Sequence, residues 1–347
     1  MAATLNWGII GTGTIARTFA AGVAQSTTGK VVAVGSRDRA SADAFADQFG
    51  IANRHGSYEA LLDDPDVQAV YISTPHPMHK RWAIAAAEAK KHILCEKPIG
   101  VNAAEAEAII AAARKNDVFL MEAFMYRCHP QIAKMLELIR GGAIGVVRVI
   151  QATFSFHWPI EYDQKSRLLA NDMAGGGILD VGCYPASICR LIAGAAVAKP
   201  FVEPSELVAT GYLGRTGVDE WTVASARFPG MPGQGDILAQ LSTGVQCDQD
   251  NVVRIYGSEG WLLIPDPWIP SRDGSSSRLV LNVRGKPAQE IVVEPRGSLY
   301  ALEADTVAAN LHRRQAPSPA MGWDDTLGNM RMLDRWRAAI GLKYSFE

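Results

Sequence analysis

Two stretches of this 347-residue chain carry side chains whose types and spacing could do acid–base chemistry. The first is HILCEKPIG, His92 to Gly100, where an apolar run ends on Glu96, Lys97 and Pro98 in succession. Taken alone, Lys97 reads as a strand-end surface charge. Pro98 stops the strand, because proline fixes the local backbone, and an X–Pro bond permits a cis turn that would aim Lys97 inward. The second stretch is MAGGGILDVGCYPASICRL. Its glycines, Gly175 to Gly177, precede a helical pattern with Asp180 and Tyr184 at i and i+4, on one helix face. Tyrosine serves as a general acid or base once its pKa of about 10 is lowered, which a neighbouring ammonium does by favouring the phenolate. Bringing it to about 7 takes about 4 kcal/mol of differential interaction, attainable near Lys97 in a partly dry site. Read separately, Asp180 is a helix-start carboxylate and Tyr184 is packing. Pro185 removes a helical donor immediately after Tyr184, which is tolerated if Tyr184 lies in the first turn.

A third stretch, WGIIGTGTIARTFA, sets Gly11-x-Gly13-x-x-Ala16 directly after a strand and at the head of a helix. In that context Gly11 permits the tight turn, Gly13 lets backbone approach a pyrophosphate, and Ala16 allows close helix–strand packing. The first helical N–H groups, around Thr14 and Ile15, point at the phosphates. An NAD site usually ends its second strand on Asp or Glu. Here that strand ends in AVGSRDRA, with Ser36 at the tip, then Arg37, with Arg39 nearby. A guanidinium pairs with a 2′-phosphate in a charge-assisted fork, which favours NADP, while Asp38 leaves NAD as the lesser option. Lys97 then lies at a strand's carboxyl end beside the cofactor crevice. There Glu96 can hydrogen-bond the cofactor or position Lys97.

These groups need elements to hold them. Strands Leu5–Ile10, Val31–Gly35, Ala69–Ser73, Ile93–Cys95 and Val118–Met121 alternate with helices Thr14–Gln25, Ala40–Gln48, His79–Ala89 and Ala103–Lys115. That alternation predicts βαβ units and a parallel sheet, which binds ligands beyond the carboxyl ends of its strands. In the second half, strand-like runs follow one another: Val146–Phe156, Glu206–Tyr212, Trp221–Phe228, Asp236–Ser242, Val252–Tyr256, Trp261–Ile264 and Leu279–Val283. They predict a large, mainly antiparallel sheet. Helices Ile178–Ala193, Leu299–His312 and Asp324–Ala339 accompany it. The expected architecture is an α/β Rossmann domain over 1–124 and an α+β domain with a large open, predominantly antiparallel sheet over 125–347.

Composition excludes several classes. Apolar residues make up 48% and charged residues 20%, with a formal net charge of −2, so the chain has core-forming capacity and no electrostatic call on nucleic acid or a membrane surface. The five cysteines are odd in number and form no C-x-x-C pair, so neither a disulfide framework nor a zinc site is expected. His76 and His79 have no third ligand at suitable spacing, so no metal is expected. No apolar run approaches about 18 residues, and no secretory segment precedes Leu5, so the expected compartment is a reducing cytoplasm.

In this order, GIIGTGTIA, STPHPMH, CEKPIGVNAAEA, LMEAFMYRCHP, AGGGILDVGCY and VRIYGSEGWL resemble the Gfo/Idh/MocA family of NAD(P)-dependent sugar oxidoreductases across essentially the whole chain. The resemblance is greatest to the dimeric dihydrodiol dehydrogenase and NADP-dependent D-xylose dehydrogenase branch, with glucose–fructose oxidoreductase nearby. It implies that Lys97 is the catalytic lysine and that Asp180 and Tyr184 match the family's aspartate and tyrosine. It further implies that Thr74, Pro75 and His79 line the dinucleotide site and that Arg127 faces nicotinamide or substrate. Phe156, Trp158 and Arg167 become candidate sugar contacts, and His129 and His157 structural residues. The implied reaction moves hydride between NADP and a sugar or polyol, at C1 of a cyclic aldose, giving a lactone. The alternatives are an aldose–aldose oxidoreductase that recycles bound NADP, a trans-dihydrodiol dehydrogenase, or a non-catalytic NADP sensor. The loop HWPIEYDQKSRLLAND would choose the sugar. The open sheet implies a homodimer, with a tetramer as the larger alternative; in Val146–Phe156 one face carries Ile150, Ala152, Phe154 and Phe156, the other Val147, Val149, Gln151 and Thr153.

Overall fold

A computed structural model describes residues 4–158, 166–272, 274–294 and 297–347. Strand and helix alternate from the first residues: β1 Leu5–Ile10, α1 Thr14–Val23, β2 Gly29–Gly35, α2 Arg39–Phe49, β3 Asn53–His55, α3 Tyr58–Leu62, β4 Ala69–Ile72, α4 His79–Glu88, β5 His92–Glu96, α5 Ala103–Asn116 and β6 Leu120–Ala123. The six strands pair in the order β3-β2-β1-β4-β5-β6, every pair parallel. Parallel strands are buried on both faces and read as unbroken apolar runs. β4, Ala-Val-Tyr-Ile, is buried at all four positions for that reason. Strand order reverses between β1 and β4, where such sheets open a ligand crevice. Capping sets the helix starts: the side chains of Asp38, Ser57 and Asn102 accept N–H groups at the heads of α2, α3 and α5.

The second half forms α6 Pro130–Arg140, β7 Val147–Ser155, α7 Cys183–Ala196, β8 Glu206–Leu213, β9 Asp219–Phe228, β10 Ile237–Gly244, β11 Val253–Gly257, β12 Gly260–Ile264, β13 Ser277–Val283 and β14 Gln289–Val293, then α8 Leu299–Asn310 and α9 Trp323–Ala339. Its eight strands run in the order β14-β13-β12-β11-β7-β10-β9-β8. Only the β7–β10 pair is parallel. β9 alternates buried and exposed along most of its length, the signature of a sheet covered on one face and open on the other. β7 largely keeps the expected two faces. Val147 departs from them and is buried, because the register with β11 slips by one residue between Tyr256 and Gly257.

The chain packs as two units, Met1–His129 with Arg296–Leu327, and Pro130–Pro295 with Gly328–Glu347. The expected division was 1–124 and 125–347; by contacts, α8 packs with the parallel-sheet unit. Among the described residues one helical stretch, Asn171–Ala196, is long and apolar enough to cross a membrane by length and composition alone. Its most apolar 18-residue window is wholly buried within the protein, as core helices are. None of the five cysteines, all among the described residues, forms a disulfide.

Candidate functional site

In the first unit, β1 delivers the glycine turn. Gly11 has φ +105°, a left-handed conformation that favours glycine, and a Cβ there would meet Ser73 Oγ at 2.8 Å. A Cβ on Gly13 would meet nothing within 4 Å, so the backbone is open to a ligand. Gly13 caps α1 without a side-chain hydrogen bond, and the first turn holds no acidic residue. The leading N–H groups, Thr14 and Ile15 included, thus stay available to an anion at a positive dipole end. On the neighbouring loop Thr74 is buried, and its Oγ1 has no hydrogen-bond partner among the described residues. An uncapped helix start, an open glycine and an orphaned hydroxyl fit a dinucleotide phosphate chain.

At the end of β2, Ser36 is buried and Arg37 is exposed. Arg37 has no ion pair among the described residues, whereas Arg39 bonds Asp43 at 2.9 Å. Asp38 accepts Ser41 N–H at 2.8 Å and Ser41 Oγ–H at 2.9 Å as the cap of α2, and these bonds hold its carboxyl below the usual range. The acid that kept NAD in consideration is thus engaged locally, and Arg37 is the uncommitted charge at the strand tip.

His79, expected to line the dinucleotide site, has no exposed surface. Its Nδ1 meets the Pro98 carbonyl at 2.9 Å and its Nε2 the Thr74 carbonyl at 2.7 Å, so it ties the Thr74–Pro75 loop to the turn after β5. Burial and the Lys97 charge push the ring down to about 4 against the pull of both carbonyls. A neutral imidazole donates to only one of them. Pro75 on the same loop is partly exposed.

The turn after β5 carries Glu96 and Lys97. Glu96 is buried, takes the Tyr71 hydroxyl on Oε1, and accepts the Lys97 N–H on Oε2 at 3.2 Å. Lys97 is half-buried, and the Lys97–Pro98 peptide is cis. Glu303 of α8 went unnoticed in the sequence. It is wholly buried, neither carboxyl oxygen has a partner among the described residues, and burial plus the Glu96 charge raise its pKa well above the usual range. Arg127, expected to face nicotinamide or substrate, has no exposed surface; its Nη2 bonds Asp325 at 2.7 Å and its Nε the Pro319 carbonyl. His129, expected to be structural, is buried, which pushes it down to about 4.

In the second unit the expected helix Ile178–Ala193 begins as a π turn, Ile178–Gly182, and continues as α7. Pro185 therefore stands in the first turn of α7, where its missing N–H breaks no bond of that helix. π turns widen a helix and occur frequently at functional sites. Asp180 on that turn is buried and takes the Arg167 guanidinium at 3.0 Å; Arg167 is itself exposed. Tyr184 is 3% exposed. Its ring meets Phe154 edge-on at 5.0 Å and Trp268 at 5.7 Å, and Phe154 stacks on Trp268 at 5.5 Å. Trp268 is fixed by its Nε1–H donating to the Thr153 carbonyl at 2.8 Å. The sequence reading set Phe154 on the right face of β7 without a role and missed Trp268, which sits outside any periodic run. Phe156 and Trp158 meet at 6.4 Å, and the exposed His157 is bridged to Gln246. Of the loop expected to choose the sugar, 159–165 lie outside the described residues.

A parallel six-stranded sheet with an open glycine turn at an uncapped helix, followed by a unit presenting an aspartate on a π turn and a tyrosine at the start of the helix that continues it, defines a dinucleotide-dependent oxidoreductase. The chain belongs to the Gfo/Idh/MocA family: residues 5–124 match the oxidoreductase family, NAD-binding Rossmann fold, and residues 132–263 match the GFO/IDH/MocA C-terminal domain. It is 32% identical over 345 residues to the trans-1,2-dihydrobenzene-1,2-diol dehydrogenase of Mus musculus, covering 98% of each chain. Among solved structures it resembles an aldose-aldose oxidoreductase from Caulobacter crescentus complexed with glycerol (TM-score 0.84, 25% identity, 97% of each chain). It also resembles a 3-ketoreductase from Actinomadura kijaniata in complex with NADP and TDP-benzene (TM-score 0.81, 27% identity, 97% and 98% of the two chains). The protein is thus an NAD(P)-dependent oxidoreductase with a small-molecule substrate.

Proposed function

We propose that this chain is an NADP-dependent dehydrogenase acting on the CH–OH group of a sugar, at C1 of a cyclic aldose, with a lactone as oxidation product. The observation that carries the reading is the π turn: Asp180, paired with Arg167, stands one turn before Tyr184, whose ring is walled by Phe154 and Trp268. Gly11, Gly13, Thr14 and Ile15 would hold the pyrophosphate, Ser36 and Arg37 the 2′-phosphate, and Thr74, Pro75, Glu96 and Lys97 the remainder of the dinucleotide. When bound, the nicotinamide supplies the hydride-transfer chemistry.

The chain's own residues handle the proton. Tyr184 takes it from the substrate hydroxyl as base and returns it in reduction. The Lys97 ammonium favours the phenolate and hydrogen-bonds the reacting oxygen. Asp180 orients the pair and balances charge, and Arg167 holds Asp180. Phe156 and Trp158 give apolar faces for a sugar ring. Tyr184→Phe and Lys97→Met should each lower turnover by about 10²-fold or more while NADP binding survives, as loss of a general acid or base does. Near-wild-type turnover in both would sink the proposal.

The aromatic wall and the mouse relative favour a second reading, oxidation of a trans-dihydrodiol, since flat apolar rings stack on an arene-derived ring as well as on a sugar. The Caulobacter neighbour favours a third, exchange between two aldoses on retained NADP; nucleotide remaining in the purified protein would point to it. A panel of D-xylose, D-glucose and trans-1,2-dihydrobenzene-1,2-diol with NADP and NAD, followed by nicotinamide absorbance, separates the three. The proposed assembly is a homodimer through the open sheet. Val208, Tyr212, Trp221, Val223 and Leu238 are 41–56% exposed on that face, with Tyr212 and Trp221 stacked at 4.3 Å, an apolar surface that a second copy would cover.

A further inference from the structure

The π turn that carries Asp180 and leads into Tyr184 on α7 has no side-chain cap of its own, because Gly177 precedes it. The missing acceptor comes from another element. Asp219, at the head of β9, has no exposed surface, and its Oδ2 accepts the Ile178 N–H at 2.7 Å. Its Oδ1 has no hydrogen-bond partner among the described residues. Gly176 has φ +110°, and a Cβ there would stand 2.2 Å from Asp219 Oδ1, so the glycine run admits this carboxylate. The turn is gripped elsewhere too: the Tyr344 hydroxyl donates to the Gly175 carbonyl at 3.0 Å. Tyr344 is fixed in turn. Its ring lies under the Arg337 guanidinium at 4.8 Å, and Arg337 bonds both oxygens of Glu347, at 2.9 and 3.0 Å, and Asp334 at 3.0 Å. Asn171 ties down the flanking chain, accepting Ser345 N–H at 2.7 Å and donating to the Lys343 carbonyl at 3.1 Å.

We propose that Asp219 is a positioning residue: reaching in from β9, its carboxylate serves as the absent cap of the π turn and sets the direction in which Asp180 and Tyr184 are presented, with Tyr344 holding the glycine run that leads into the turn. This rests on the reading that Asp180 and Tyr184 do the acid–base work. The charge state matters to the device. Burial pushes Asp219 up to about 7, against the pull of the Ile178 and Gly177 N–H groups and of Arg337. The other titratable group beside it is Tyr344, with Asp334 and Glu347 beyond Arg337. The ionised carboxylate holds the turn. As pH falls through about 7 the carboxyl takes up a proton, its grip on Ile178 weakens, and turnover declines.

Asp219→Asn keeps an acceptor oxygen and removes the charge. It should slow turnover about tenfold, the effect of weakening one charge-assisted hydrogen bond, and leave the NADP dissociation constant unchanged. It should also abolish an acid-side fall in kcat near pH 7 and speed amide hydrogen exchange at Ile178 about tenfold in the protein without substrate. Tyr344→Phe, which keeps the ring, should speed exchange across Gly175–Ile178 and slow turnover about threefold or more. Turnover is read with the best substrate of the panel above. Wild-type exchange at Ile178 in Asp219→Asn overturns the inference, as does a retained acid limb. If Tyr184→Phe also keeps full turnover, the acid–base reading has failed. If Tyr184→Phe is inactive and Asp219→Asn is unaffected, only the positioning role has failed.

Discussion

Removing Asp325 should unfold the parallel-sheet unit more readily without touching the dinucleotide contacts. Arg127 has no exposed side-chain surface and Asp325 only 4%, and the two meet at 2.7 Å. Asp325→Ala leaves a guanidinium that cannot shed its proton and cannot reach water; its bonds to the Pro319 carbonyl and to Tyr126 set dipoles against a full charge. Breaking a buried pair from one side costs about 3–5 kcal/mol. In a unit of this size each kcal/mol moves the midpoint by about 2–4 °C, so thermal unfolding should come about 6–20 °C earlier. Arg127→Met with Asp325→Leu removes both charges and should recover most of the loss, since well-packed apolar replacements of buried pairs are often neutral. Calorimetric unfolding of the wild type, Asp325→Ala, Arg127→Met and the double variant, with NADP titration by fluorescence quenching, makes the test. If Asp325→Ala melts with the wild type, or if Arg127→Met loses NADP affinity at unchanged stability, then Arg127 is a ligand and the burial argument is wrong.

Three further outcomes follow from the same structure. Arg37→Ala should weaken NADP binding by about tenfold, one charge-assisted contact, and leave NAD unchanged; an unaltered preference would show that the 2′-phosphate is read elsewhere. His79 is held down to about 4, whereas the imidazole of an unfolded chain takes a proton near 6.5, so the unfolded state binds more protons between these values. Stability should therefore be full above about pH 6.5 and fall toward pH 4 by up to about 3 kcal/mol, with His129 adding in the same direction; urea midpoints equal at about pH 7 and pH 4.5 would contradict this. Trp221→Glu with Val223→Lys should convert the proposed homodimer to a monomer by light scattering while melting stays within a few degrees, because both side chains point into solvent on the open face. A dimer that survives would place the interface elsewhere.

What could be read from the sequence was what local periodicity encodes. β1 begins and ends where the apolar run does, and the alternation of β9 exposes its open face. β3, three residues at the edge of the parallel sheet, and β14, a half-exposed edge strand, escaped notice because too few buried positions repeat to make a period. The π turn escaped for a different reason: Asp219 caps it from 41 residues away in sequence, and no local signal announces such a cap. Lys97 and Arg127 show where reading by motif stops. Both are cations just beyond the carboxyl end of a parallel strand, and both were read as ligands. Lys97 keeps part of its surface. Arg127 meets a carboxylate delivered 198 residues later and loses its surface entirely. A buried charge must be paired, and its partner is chosen by the fold rather than by neighbours in the chain. Position at a strand end therefore nominates a cation for chemistry, while the surface left to it after packing decides whether it can take part.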